Sequence, residues 1–530
     1  MRYIPLFVFV ALTLASVALA VWFPLWGGLG AGVFGVIAAI GLHDRLQTRR
    51  AVLRNYPISA RLRFLFEHFR PEIRQYFLES DHDETPYSRE QRALVYRRAK
   101  GIEGLRPFGT LRNVNEIGHE WINHSMAPTH LDSHDFRVTI GGPDCAQPYA
   151  ASPLNISGMS YGALSPNAIE SLNWGAKLGG FAHTTGEGSI SRFHRKHGGD
   201  LIWQVGSGYF GCRTPQGAFD PAKFAETAAD PQVRMIEIKL SQGAKPGHGG
   251  ILPGAKVTEA IAEARGVAVG EDCVSPPGHA EFSTPEGLCA FIARLRDLAR
   301  GKPIGIKLCV GHPWEFFAMA KAFEATGITP DFITIDGAEG GTGAAPAEFA
   351  DHKGAPIREG LMLAHNTLVG IGLRDRVKLI ASGKLVSAFD LCRMFALGAD
   401  GCNMARGFMF AVGCIQAQVC HSGKCPTGVT TQDPGRYKAL VIENKYKRVA
   451  NFHRNTMIAL KEAVESSGLR SPQDFTPHHL MIRVSSREVR SAASQYLWLE
   501  PGALRRSEVT HPAFAKYWDH ARPDSFGFAA

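Results

Sequence analysis

The chain has 530 residues, with 58 lysines and arginines against 49 acidic residues and a formal charge of +9. That length exceeds one small core and calls for one large domain with extensions, or two domains. The basic excess carries no aromatic-interleaved motif, which argues against nucleic acid as a partner. Seven of the ten cysteines are scattered singly, which argues against a disulfide framework and for a reducing compartment.

Residues 4–23 and 25–42 are apolar runs divided by Pro24, each near the length that crosses a bilayer as a helix. Ala18-Leu19-Ala20 has the small-x-small form of a signal-cleavage site, but cleavage would leave the second run unexplained. Between Asp44 and Arg74 stand eight arginines against three acidic residues, and the positive-inside rule then puts the bulk of the chain in the cytoplasm. The expectation is a two-pass helical hairpin over 1–43 in the inner (cytoplasmic) membrane, with a basic flank suited to anionic headgroups. Gly27, Gly28 and Gly30 read as helix packing within it. A mainly helical linking region over 44–136 follows, with no chemistry in it.

After Arg137 short β-branched runs alternate with helical patterns. Eight strands are expected, at 154–156, 181–184, 202–205, 235–240, 303–308, 331–335, 377–381 and 401–404. Parallel βα units in that number predict a (β/α)8 TIM barrel over 137–436, whose site must lie at the C-terminal ends of the strands. All eight of those ends carry glycine or charge: Ser157 to Gly162, Thr185 to Ser189, Gly206 to Gly208, Lys239 to Lys245, Lys307, Asp336 to Gly343, Ser382 to Lys384, and Ala405 to Gly407. Barrels commonly bind phosphate after strands 7 and 8, where Lys384 and Arg406 supply charge. Lys307, at the end of a buried strand, is costly without an anionic partner, and a reduced flavin ring offers one.

Directly after the eighth strand, Cys414, Cys420 and Cys425 fall within a dozen residues, with Pro426 behind the last. They can share a metal centre, pair and strand one, or stay idle. Without a C-x2-C pair for zinc, the first option suits a cluster with one thiolate per iron. The remaining residues, 437–530, read as a helical extension.

The stretches MSYGALS (159–165), GEGSIS (186–191), QVGSGYFG (204–211), EIKLSQGAKPGHGG (237–250), DGAEGGTGAAP (336–346), LRDRVKLIASGKL (373–385) and GCIQAQVCHSGKCPTGVTTQ (413–432) together resemble the FMN-binding synthase domain of glutamate synthases, in its stand-alone, membrane-anchored form. The resemblance implies FMN held by Met159, Ser160, Gln204, Lys239, Lys307, Gly340, Gly341, Gly383, Lys384, Ala405 and Arg406. It also implies a [3Fe–4S] cluster on Cys414, Cys420 and Cys425, and reduction of 2-iminoglutarate, formed from 2-oxoglutarate and ammonia, to L-glutamate. Lys245 and Arg265 are assigned to substrate carboxylates and Glu187 to the imine or ammonia.

Two departures from the family pattern stand out. His248 replaces an acid and Ile251 a glutamine used near the oxo-acid, which admits a related oxo-acid, imine, hydroxy acid or amine. No glutaminase domain and no dinucleotide-binding G-x-G-x-x-G unit is present, so ammonia or an amine, and electrons from an external donor, come from elsewhere. A membrane electron-transfer subunit without substrate chemistry is the rival reading, and the sequence leaves a homo-oligomer open.

Overall fold

The computed structural model describes residues 2–47, 50–82, 85–102, 104–506 and 511–528. Of the eight arginines counted after the apolar runs, Arg49 lies outside them. The chain divides into two compact units, Met1–Arg89 and Glu90–Ala530.

In the first unit, helices Ile4–Leu19 and Pro24–Leu46 pack on one another, and Pro24 opens the second at a position where its missing N–H costs nothing. Glycine makes this contact possible. A Cβ at Gly27 would stand 2.3 Å from the Ala20 backbone, and one at Gly30 would stand 2.7 Å from Ser16 Oγ. Gly28 faces open space and takes no part. Pro24–Leu46 is long and apolar enough to cross a bilayer, whereas Ile4–Leu19, with 16 residues, is apolar but shorter. At 1.5 Å per residue it reaches only about 24 Å.

The second unit is built on eight parallel strands: β1 (Leu154–Ile156), β2 (His183–Thr184), β3 (Leu201–Val205), β4 (Val233–Lys239), β5 (Ile304–Leu308), β6 (Phe332–Asp336), β7 (Lys378–Ser382) and β8 (Gly401–Met404). They close in chain order into a barrel. β8 returns to β1 through Cys402↔Leu154, Asn403↔Asn155 and Met404↔Ile156. Every expected strand is present, within one or two residues at each end.

Side chains alternate along a strand, so one set of every second residue fills the interior. At the N-terminal end this set is apolar, with Ala182, Ile202, Met235, Phe332 and Ile380 in one buried cluster. The antiparallel pair Val138–Ile140 and Tyr149–Ala151 joins that cluster and stops the barrel's floor. Gly305 makes room for it, since a Cβ there would stand 2.4 Å from the Phe332 ring.

Residues 437–530 are not wholly helical. Helix Ile442–Ser466 lies on helix Pro166–Gly179, where a Cβ at Gly175 would meet Val449 at 2.5 Å. Beyond it, strand Leu480–Arg483 pairs with both Glu120–Ile122 and Val489–Ser491. The stretches before and after the barrel thus share one small antiparallel sheet. Four residues of alternating burial, with Leu480 and Ile482 inward, are too short a signal to separate from the helix before them.

Candidate active site at the barrel mouth

Two residues further along each strand the interior turns polar. Gln204, Glu237 and Thr334 form a buried chain, with Gln204 Nε2 donating to Glu237 Oε1 at 2.5 Å and Thr334 Oγ1 to Oε2 at 2.8 Å. Lys307 Nζ stands 3.6 Å from Asp336 Oδ2, which also accepts the Gly243 N–H at 2.9 Å. Asp336 on the neighbouring strand thus gives buried Lys307 an anionic partner within the protein itself.

Above this layer two of the three residues assigned to substrate, Glu187 and Lys245, come together with Lys239. Lys239, the last residue of β4, holds Glu187 Oε1 at 3.2 Å. Burial pushes the Glu187 carboxyl up, but Lys239, Lys245 and Arg265 outweigh it and hold the group below the usual carboxylate range. Lys245 Nζ donates to Gly249 O at 3.0 Å. Burial lowers its pKa and Lys239 adds to that, against the opposing pull of Glu187. His279 supports the arrangement, with Nε2 against Lys239 O at 3.0 Å and Nδ1 against Tyr209 Oη at 3.2 Å.

Arg265 is placed differently from the expectation. Its Nη2 donates to Tyr161 O at 3.1 Å, its Nη1 faces Cys273 Sγ at 3.4 Å, and the guanidinium lies 5.1 Å over the Phe210 ring. It is built into the wall behind Gly162 and Gly188, and its charge reaches the site through the field on Glu187.

The strand pair Gly250–Leu252 and Cys273–Ser275 borders Glu187 and Lys245. A Cβ at Gly250 would stand 3.2 Å from Lys245 Nζ. Alternation then turns Ile251 to the other face, where it is 60% exposed. The glutamine-to-isoleucine departure therefore lies on the side away from Lys245. His248, the other departure, sets its ring 5.2 Å from Phe349 in helix Ala347–His352.

The loops after β6, β7 and β8 meet the cysteine segment. Arg406 Nη2 donates to Gly341 O. Glu339 accepts the Ile357 N–H at the start of helix Ile357–Gly370, and its charge opposes the lowering of Lys384 by burial. A Cβ at Gly383 would stand 3.0 Å from Ile357, and one at Gly340 would lie 3.4 Å from Ala244 N. Gly343 lies against Cys420, its ideal Cβ 3.1 Å from Cys420 Cβ. The cysteine loop thus rests on the rim of the barrel.

Its thiols differ. Burial, reinforced by Cys420 and Cys425, raises Cys414 to about 11. Burial also opposes ionisation of Cys425, but hydrogen bonds from Thr427 and Thr430 bring it down to about 7. Gln416 N–H points at Cys414 Sγ at 3.4 Å, and Tyr96 Oη donates to Cys414 O at 2.7 Å.

A flavin and an iron–sulfur cluster are the groups the resemblance implies, and the donors fit both. Among the described residues, Thr184 Oγ1 and Asn403 Oδ1 are buried in the barrel strands without a partner, as a polar ring seated in the mouth would require. Three soft thiolates on one loop suit iron. Among the described residues no three His, Cys, Asp or Glu side chains converge on a single ion. Met159 and Ser160 line the loop after β1, where a Cβ at Gly186 would stand 2.6 Å from Ser160 N.

The sequence reading missed Glu237 and gave Asp336 no role. A carboxylate inside the buried run VRMIEIK was the available signal for the first. His279 had none.

Closed barrel, polar mouth and charged βα loops define a (β/α)8 barrel with its site at the strands' C-terminal end. The family model described as a conserved region in glutamate synthase matches residues 122–470, and the chain belongs to that family. A relative from Bacillus subtilis (strain 168), the glutamate synthase large subunit-like protein YerD, is 37% identical over 489 residues, 84% of this chain and 93% of its own. The archaeal-type glutamate synthase [NADPH] of Thermotoga maritima is 35% identical over 332 residues, 62% of each chain. The glutamate synthase [NADPH] large chain of B. subtilis is 37% identical over 284 residues, 52% of this chain and 17% of its own. The chain therefore spans about three fifths of the archaeal-type relative and a small part of the large chain.

Proposed function

We propose that the chain is an oxidoreductase of glutamate synthase type, reducing 2-iminoglutarate, formed from 2-oxoglutarate and ammonia, to L-glutamate. The observation that carries this reading is the convergence of Lys239 and Lys245 on the half-buried Glu187 at the barrel mouth. When bound, FMN would supply the hydride and a three-iron cluster on Cys414, Cys420 and Cys425 the one-electron relay. Gln204, Lys307, Gly383, Lys384, Ala405 and Arg406 stand at the strand ends that would hold the flavin.

The two ammonium groups offer charge-assisted hydrogen bonds to a substrate carboxylate. Glu187, kept ionised by its cationic neighbours, is placed to accept from an imine N–H and so to favour the cationic imine, the better hydride acceptor. Burial strengthens both effects. The outward turn of Ile251 leaves this constellation unchanged by the family departure.

Ammonia and electrons come from outside the chain, and residues 4–46 anchor it in the cytoplasmic membrane with the barrel on the arginine-rich side. The test is anaerobic turnover of 2-oxoglutarate and ammonium with reduced methyl viologen. Glutamate is the expected product. Reversible flavin reduction without it would overturn the substrate assignment in favour of electron transfer alone.

A further inference from the structure

Residues 59–78 follow the apolar helices in the same compact unit and carry a pattern that the barrel chemistry does not use. Helix Ser59–Ile73 sets Leu62, Leu65, Phe66, Phe69 and Ile73 on one stripe about 100° wide. None of it is covered: Phe66 is 64% exposed, and Phe77, in the wider turn Arg74–Leu78 that follows Pro71, is 83% exposed. A contiguous aromatic stripe of this size marks an interaction surface.

Beside the stripe runs a charged row at i, i+4 and i, i+3 spacing. Arg63 pairs with Glu67 at 2.9 Å, and Arg70 and Arg74 continue the row. Their long stems can lie along apolar surface while the charged heads stay in water.

The start of the segment is clamped to the end of the spanning-length helix. Asp44, in the last turn of Pro24–Leu46, is fully buried. Its carboxylate accepts from Arg61 Nε at 2.8 Å, from Arg61 Nη2 at 2.6 Å and from the Ile58 N–H at 3.2 Å. The bidentate pair fixes direction as well as distance. Ile58 takes φ 65° at the reversal, and a Cβ at Gly41 would meet both Ile58 and Leu6 at 2.8 Å. The amphipathic stretch thus begins at the level where the apolar helix ends.

The geometry points to residues 59–78 as an interfacial helix lying in the lipid–water boundary, with Leu62, Phe66, Phe69 and Phe77 among the acyl chains and Arg70 and Arg74 at anionic headgroups. This rests on the membrane anchoring of residues 4–46, and it goes beyond it by making the surface of the bilayer, and not water or protein, the partner of the stripe. Buried apolar area and attraction to anionic lipid act together in such helices.

The test places the photoreactive residue p-benzoylphenylalanine, one position at a time, at Leu14, Phe66, His68 or Phe77 of the full chain. Each variant is reconstituted in liposomes of phosphatidylcholine and phosphatidylglycerol (3:1), irradiated, and read by mass spectrometry. Lipid adducts are expected at positions 14, 66 and 77, with little at 68 on the polar side, and the yield at 66 should fall several-fold in pure phosphatidylcholine. Protein adducts in place of lipid at 66 and 77, with lipid still found at 14, would overturn the interfacial helix and leave the anchor standing. Absence of lipid adducts at 14 as well would overturn the anchor itself. Equal yield at 66 in both lipids would overturn the part given to Arg70 and Arg74.

Discussion

The floor and the mouth of the barrel are built from the same strands, two residues apart. Ala182, Ile202, Met235, Phe332 and Ile380 give way to Thr184, Gln204, Glu237, Thr334 and Ser382. The floor is close-packed apolar volume and supplies stability. The mouth buries polar groups; Gln204, Glu237 and Thr334 satisfy each other, while Thr184 Oγ1 and Asn403 Oδ1 are buried without a partner. One end of one sheet is therefore spent on folding and the other on chemistry.

Substitutions at the two ends should separate these roles. The largest loss of activity belongs to the rim: Cys425→Ser should abolish viologen-driven turnover and remove the iron signal in electron paramagnetic resonance, with the fold retained by circular dichroism. On the floor, Phe332→Ala should lower stability by about 3–5 kcal/mol in chemical denaturation through the cavity it leaves. The flavin content of the folded fraction should not change. In the mouth, Asp336→Leu strands buried Lys307 and should also cost about 3–5 kcal/mol. Here the flavin spectrum should change with it, which distinguishes mouth from floor.

Glu187→Gln tests charge alone. Glu187 raises the Lys245 pKa, so its removal should shift the alkaline limb of the pH–rate profile to lower pH. The same carboxylate titrates below its ordinary value when folded. Its stabilising contribution is therefore complete above the ordinary carboxylate range and lost as pH falls through the folded value. Acid unfolding of the Gln variant should be correspondingly flatter. The smallest effect is expected from Ile251→Gln, which should leave KM for 2-oxoglutarate within about twofold, as surface changes usually do. A large fall in KM would place that side chain at the substrate after all.

Much of this was legible from the chain. The eight strands announced themselves as β-branched runs ending in glycine or charge, because a parallel strand is buried on both faces while its C-terminal loop carries the ligands. The three cysteines were visible by spacing alone. Less legible was what each charge touches. Lys307 read as a cation in search of a cofactor, and Asp336, in the loop quoted beside it, is its partner. Arg265 read as a carboxylate clamp, and its guanidinium is held in the wall by Tyr161 and Phe210. Residues 59–78 read as a plain helical link, since their stripe is meaningful only once it is seen to lie uncovered.

By itself the sequence determined the order of elements, the barrel and the loop that carries the thiols, because hydrophobic periodicity and ligand spacing are local properties of a chain. Only the tertiary structure decided which cations meet which anions, that Ile251 turns away from Lys245, and that Asp44 ties Arg61 to the end of an apolar helix. Those facts depend on the closure of the barrel and the register of its neighbours, and contacts between residues distant in the chain leave no periodicity to read.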